Sequence, residues 1–123
     1  AISAKPLNWQ SGSEMGFAEN LKQLPRVSHL AAIQLLDADG NVVATIENKP
    51  GQGGSLVVYN HLGQIHGAIT AEAARKGLDL YAEHTEDARQ NPGKHPNIDR
   101  LIELASAGKA MLRLKHVFAI ESN

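Results

Sequence analysis

Apolar positions in the first part of the chain change from helical spacing to strand spacing. Phe17, Leu21 and Leu24 lie three and four residues apart before Pro25, which predicts a short amphipathic helix. Alternating apolar residues then predict two strands of a β-hairpin, joined at Asp39-Gly40, where glycine can take the positive φ of a tight turn. The apolar residues of this hairpin are Val27, Ala31, Ile33 and Leu35 on one face of the first strand, followed by Val42, Ala44 and Ile46.

Three helices are predicted after the loop at residues 48–54. Ser55 is expected to cap the first helix and Thr70 the second, which is long and ends at residues 91–93. The third helix is expected to start at about Pro96. The predicted apolar stripes are Val58, Leu62, Ile65 and Ile69, with Asn60 opposite them; Ala74, Leu78, Tyr81, Thr85 and Ala88; and Ile98, Leu101, Ile102 and Ala105.

The chain closes on a predicted strand in which Leu112, Leu114, Phe118 and Ile120 alternate with other residues. Because a lone strand leaves its backbone unpaired, this strand is expected to return to the hairpin. The order of elements predicts a single α+β domain over residues 15–123. Its three-stranded sheet is expected to be antiparallel, with three to four helices packed mainly on one face.

Residues 1–14 show no periodicity and precede Met15, which reads as a natural start. We therefore expect this segment to be flexible or added to the natural protein. The alternative is a mature end left by cleavage of a signal peptide.

Composition excludes several classes of site. Apolar residues make up 42% and charged residues 20% of the 123 positions, as in ordinary globular proteins. Twelve basic and thirteen acidic residues give a net charge of −1, so no strong field attracts nucleic acid or a membrane surface. The absence of cysteine excludes disulfides, thiol nucleophiles and thiolate metal sites. We expect a cytoplasmic protein with no cofactor and no nucleic-acid or membrane partner.

Residues 81–100 concentrate histidine and charge between two predicted helices. Side chains within one helical turn there, together with a histidine after the turn, could converge on a divalent cation. The metal candidates are Glu83, His84, Asp87 and His95. We favour a structural corner, in which Lys94, His95 and Arg100 fold back as countercharges to carboxylates at a helix end. A pocket for an anion or a substrate is the third interpretation.

The glycine-rich segment "KPGQGGS", residues 49–55, could aim backbone N–H groups at a phosphate. It matches neither common nucleotide-binding pattern, since Leu56 occupies the place of the last glycine in G-x-G-x-x-G. The candidate ligand-binding residues are Lys49, Gly53, Gly54, Ser55, His84, Lys94, His95 and Arg100. No residue is assigned a catalytic role, because no complete catalytic constellation is recognised.

Two functional hypotheses stay open. Leu80 projects about 120° away from the apolar stripe of its helix, which indicates a partner surface. We favour a small non-enzymatic binding or protein-interaction domain, and a homodimer is one form of it. The alternative is a small-molecule or anion-binding protein, or an enzyme, that uses residues 83–100 and 49–55.

Two segments resemble a small bacterial family known only as a domain of unknown function. They are "LLDADGNVVATIENKPG", residues 35–51, and "LYAEHTEDARQNPGKHPNIDRL", residues 80–101. The resemblance would extend from Met15 to about Val117. It implies a compact cytoplasmic bacterial protein and brings no activity, cofactor or catalytic residue with it.

Overall fold

The computed structural model describes residues 16–107 and 111–120. Residues 1–14, expected to be a flexible or added segment, lie outside this range. Eight elements follow one another along the described chain. They are α1 (Phe17–Lys22), β1 (Leu30–Leu36), β2 (Val42–Glu47), α2 (Gly53–His66), α3 (Ala71–Tyr81), α4 (Glu83–Gln90), α5 (Pro96–Ala107) and β3 (Arg113–Phe118).

The sheet is antiparallel, with strand order β2-β1-β3, so the predicted α+β class is confirmed. Ile33 in the central strand faces Ile46 on one side and His116 on the other. The predicted hairpin turn forms at Gly40, whose φ is 86°. One predicted core position in β1 is wrong. The register shifts between Leu30 and Ala32, so Ala32 is buried, whereas Ala31, expected on the same face as Ile33, is exposed.

Helix α2 lies between the sheet and the other helices. On the sheet side, Gly63 approaches Leu114 so closely that a Cβ atom there would lie 2.9 Å from the leucine Cδ2. On the other side, a Cβ atom at Gly77 of α3 would lie 2.9 Å from Leu62. Because α2 is covered on two sides, its buried residues surround the axis instead of forming one stripe.

Four sequence predictions for α2 are wrong, and burial on two sides accounts for the first two. Asn60, expected to face water, is 1% exposed, whereas Ile65, expected in the buried stripe, is 65% exposed. Ser55 does not cap α2, since the helix begins at Gly53 and Ser55 lies within its first turn. Ile69 is buried, but α2 ends at His66, and Ile69 instead pairs with Leu112 in an isolated bridge.

The long helix predicted after Thr70 is broken into α3 and α4 at Ala82. This alanine has φ 52° and ψ −118°, far from helical values. The Thr85 hydroxyl donates to the Leu78 carbonyl at 2.6 Å, which satisfies an acceptor that the break leaves open. The predicted cap is confirmed, because the Thr70 side chain accepts a hydrogen bond from the Ala73 amide at 3.0 Å. The predicted stripe is also buried in both helices.

Candidate functional site

The carboxylate of Asp87 organises the corner between α4 and α5. It lies 2.6 Å from His95 Nε2 and 3.0 Å from Lys94 Nζ, and it accepts a hydrogen bond from Asn91 Nδ2 at 3.0 Å. These partners come from the Asn-Pro-Gly turn, which lets the chain fold back onto the end of α4. Asp87, Lys94 and His95 were grouped from sequence, and the structure brings all three together.

Hydrogen bonding keeps this corner ionised. The bond from His95, followed by that from Lys94, lowers the pKa of Asp87 from its ordinary value of 3.8 to about 2. At the other end of α4, the Phe17 amide donates to Glu83 Oε1 at 2.9 Å and lowers the pKa of that carboxyl group. Both acids are therefore ionised at neutral pH and hydrogen-bonded within the chain.

The four residues considered as metal ligands each have protein partners. Glu83 binds the Phe17 amide, and Asp87 binds His95. His84 Nε2 lies 3.9 Å from Glu83, and the ring centroids of His84 and His95 are 5.8 Å apart. Within the described residues, no group of three or more histidine, aspartate or glutamate side chains is arranged to hold a metal ion.

Arg100 does not join the corner. Its Nη1 donates to the Tyr59 hydroxyl at 3.1 Å and to Asn97 Oδ1 at 2.8 Å. The Tyr59 hydroxyl in turn donates to the Asn97 carbonyl at 2.6 Å, and burial raises the pKa of Tyr59 to about 12. Arg100 thus ties α5 to the buried tyrosine of α2, a role that local sequence spacing does not reveal.

The glycine-rich segment is separated from the corner by an aromatic ring. Lys49 pairs with Glu47 at 2.9 Å on the exposed surface. Gly53 and Gly54 begin α2, and a Cβ atom at Gly54 would lie 3.0 Å from the ring of Phe17. Since that ring also meets His84 edge-on at a centroid distance of 5.0 Å, Phe17 lies between the two halves of the proposed ligand site.

The Ser55 side chain forms a hydrogen bond with a buried residue instead of belonging to a ligand site in the glycine-rich loop. Its Oγ accepts a hydrogen bond from the Tyr81 hydroxyl at 2.5 Å. Burial raises the pKa of Tyr81, so the phenol stays protonated at neutral pH. This bond links the first turn of α2 to the last residue of α3.

A different surface contains Leu80, the predicted interface residue. Leu80 lines a cleft of about 280 Å³ between α2 and α3. Ile65 on the opposite wall is 65% exposed, so the two walls of the cleft present apolar surface to water. The remaining lining residues are His61, Leu62, His66, Lys76 and Asp79.

Two side chains of opposite charge lie beside this cleft. Lys76 and Asp79 lie three residues apart on α3, and both are exposed. Neither side chain forms an ion pair or a hydrogen bond within residues 16–107 and 111–120. This pair was not predicted from the sequence, although the helical projection that singled out Leu80 contains both residues. No sequence signal indicated Ile65, because its spacing fits a buried stripe.

These features define a small α+β domain with a three-stranded antiparallel sheet and five helices in the described part of the chain. Residues 17–115 match the model of a family described as "Uncharacterized protein conserved in bacteria (DUF2322)". The chain belongs to this bacterial family. No curated protein and no solved structure matches it. Across the described residues, every helix is too short or too polar to cross a membrane.

Proposed function

We propose that this protein is a non-enzymatic interaction domain that self-associates through the cleft between α2 and α3. The observation that carries the proposal is Ile65, which is 65% exposed in a cleft whose opposite wall includes Leu80. Removing such a side chain from water favours association. We place the protein in the cytoplasm, and that location stays a prediction.

Charge complementarity favours a second copy of the chain as the occupant. In a two-fold dimer with α3 antiparallel to its counterpart, each residue contact occurs twice. An axis passing between Lys76 and Asp79 would place Lys76 of each copy beside Asp79 of the other. Both charges lack partners within the described monomer, so the dimer would supply the two missing ion pairs.

The second hypothesis is anion binding at the start of α2. It is supported by the N-terminus of this helix, where the N-cap residue Gln52 forms no side-chain capping hydrogen bond within the described structure. It is weakened by Phe17, which packs against Gly54, and by Arg100, which is bound to Tyr59. Titration with inorganic phosphate, followed by amide NMR, would favour it if Gly54 and His84 shifted together.

Sedimentation velocity at micromolar concentration tests self-association. We expect a dimer for the natural sequence. Ile65→Glu and Leu80→Glu should each weaken it by about a hundredfold in Kd, because each buries an unpaired carboxylate. Val43→Glu is the matched control, since Val43 is 51% exposed but lies on β2 away from the cleft. A monomeric natural protein, or equal weakening by all three substitutions, would contradict the proposal.

A further inference from the structure

The break between α3 and α4 is not explained by its local sequence. Apolar residues continue at helical spacing through residues 74–88, and alanine is the strongest helix former. Yet Ala82 adopts φ 52° and ψ −118°, a region that glycine occupies readily and other residues avoid. Such strain persists only where surrounding contacts hold it in place.

Helix α1 supplies two of these contacts through hydrogen bonds. Asn20 Nδ2 donates to the Leu80 carbonyl at 2.9 Å, and the Phe17 amide donates to Glu83 Oε1 at 2.9 Å. In an uninterrupted helix, the Leu80 carbonyl would accept from the amide of His84, four residues later. Asn20 therefore satisfies a carbonyl that loses its helical donor at the break.

The ring of Phe17 adds contacts on both sides of the break. It stacks on Tyr81, the last residue of α3, with a centroid distance of 5.1 Å and an interplanar angle of 16°. It meets His84, the second residue of α4, edge-on at 5.0 Å. Gly54 makes room for the ring, since a Cβ atom there would lie 3.0 Å from it. Phe17 thus holds together the two residues that flank Ala82 and Glu83.

Helix α1 is itself weakly built. It has only six residues, far fewer than a helix needs to be stable on its own, and none of the six is fully buried. Phe17 and Leu21 of this helix pack against the outside of the buried cluster, whose fully buried members, among them Ile33, Leu56 and Leu101, come from other elements. We therefore expect this cluster to persist when α1 is released.

We propose that α1 is a detachable strap and that the joint at Ala82 is a two-state element. With α1 docked, the chain is broken at Ala82; with α1 released, α3 and α4 form one continuous helix. In the released state the Leu80 carbonyl accepts a hydrogen bond from the His84 amide. The bond from the Thr85 hydroxyl to the Leu78 carbonyl breaks, and this carbonyl accepts from the Ala82 amide instead. This inference stands independently of self-association, although Leu80 connects the joint to the cleft.

NMR of the double variant Phe17→Ala/Asn20→Ala tests the switch. We expect the Cα chemical shift of Ala82 to move to a helical value. The His84 amide should exchange with solvent about tenfold more slowly, because it gains a helical hydrogen bond. Lys22→Ala is the control, since this exposed α1 residue pairs with Glu19 and lies away from the joint. Faster or unchanged exchange at His84, with a non-helical shift at Ala82, would overturn the proposal.

Two further variants keep the test decisive. If the double variant does not fold, Asn20→Ala alone removes the bond to the Leu80 carbonyl and is measured in the same way. Adding Ala82→Gly to the released variant should restore the broken form, because glycine relieves the strain at positive φ and disfavours the helix. If the double variant forms a continuous helix and adding Ala82→Gly does not restore the break, the role assigned to Ala82 is contradicted.

Discussion

The corner at Asp87 and the cleft at Leu80 both include charged side chains, but they differ in where these charges find partners. Asp87 is bound by Lys94, His95 and Asn91, all within eight residues of it. Lys76 and Asp79 have no partner within the described structure and lie beside an exposed isoleucine. The charge-rich segment at Asp87 is therefore a structural corner between two helices. The cleft is the better candidate for binding, because its charges have no partner in the described structure and lie beside apolar surface.

The largest expected effect lies beneath the cleft, at Gly77. A Cβ atom there would lie 2.7 Å from Leu101 Cδ1 and 2.9 Å from Leu62 Cδ1. Gly77→Ala should therefore force α3 away from α2 and α5 and lower the free energy of unfolding by about 1–3 kcal/mol. Urea denaturation measures the loss. Gly53→Ala is the control, because no neighbouring atom would come within 4 Å of its Cβ and α2 should tolerate it. Equal stability of both variants would contradict the close packing beneath the cleft.

A smaller effect is expected at the corner, where the contribution of Asp87 to folding stability should decrease at low pH. The pKa of Asp87 falls from 3.8 to about 2 on folding, so its carboxylate adds stability that is fully present above about pH 4. That contribution is lost as the pH falls through 2. The melting temperature of Asp87→Asn should therefore lie below that of the natural protein at pH 5, and the difference should shrink toward pH 2.

Glu86→Gln is the matched control, because it removes the exposed carboxylate of the preceding residue in α4. Its difference from the natural protein should vary less between pH 5 and pH 2. A pH-independent difference for Asp87→Asn would mean that ion pairing does not hold the corner. Self-association should be unchanged in both variants, since neither residue lines the cleft.

The sequence predicted those parts of the structure that depend on neighbours along the chain. The hairpin, the cap at Thr70 and the corner at Asp87 each involve residues within about fifteen positions, so local sequence patterns are enough to predict them. Alternation in the last strand was also enough to predict its return to the hairpin, because an unpaired strand is unfavourable.

The parts that failed depend on contacts between distant residues. Asn60 is buried because α2 is covered on two sides, and its Oδ1 accepts a hydrogen bond from His116, 56 positions away. Arg100 turns toward Tyr59, 41 positions away, rather than toward the corner. Ala82 leaves the helix where α1 docks, although its own propensity is helical. The cleft likewise forms only where α2 and α3 cross, so the pattern of either helix alone could not predict it.

The most direct test of the proposed interface is a mixture of two charge-reversed variants. Lys76→Glu alone would face Asp79 of the second copy with like charge, and Asp79→Lys alone would face Lys76, so each variant should be monomeric by sedimentation velocity. Mixed in equal amounts, they should form a heterodimer, because one ion pair keeps its natural sign and the other is restored with reversed sign. Lys115→Glu, an equal reversal on the exposed side of β3, should leave the dimer intact. A mixture that stays monomeric, or single variants that dimerise as well as the natural protein, would contradict self-association through this cleft.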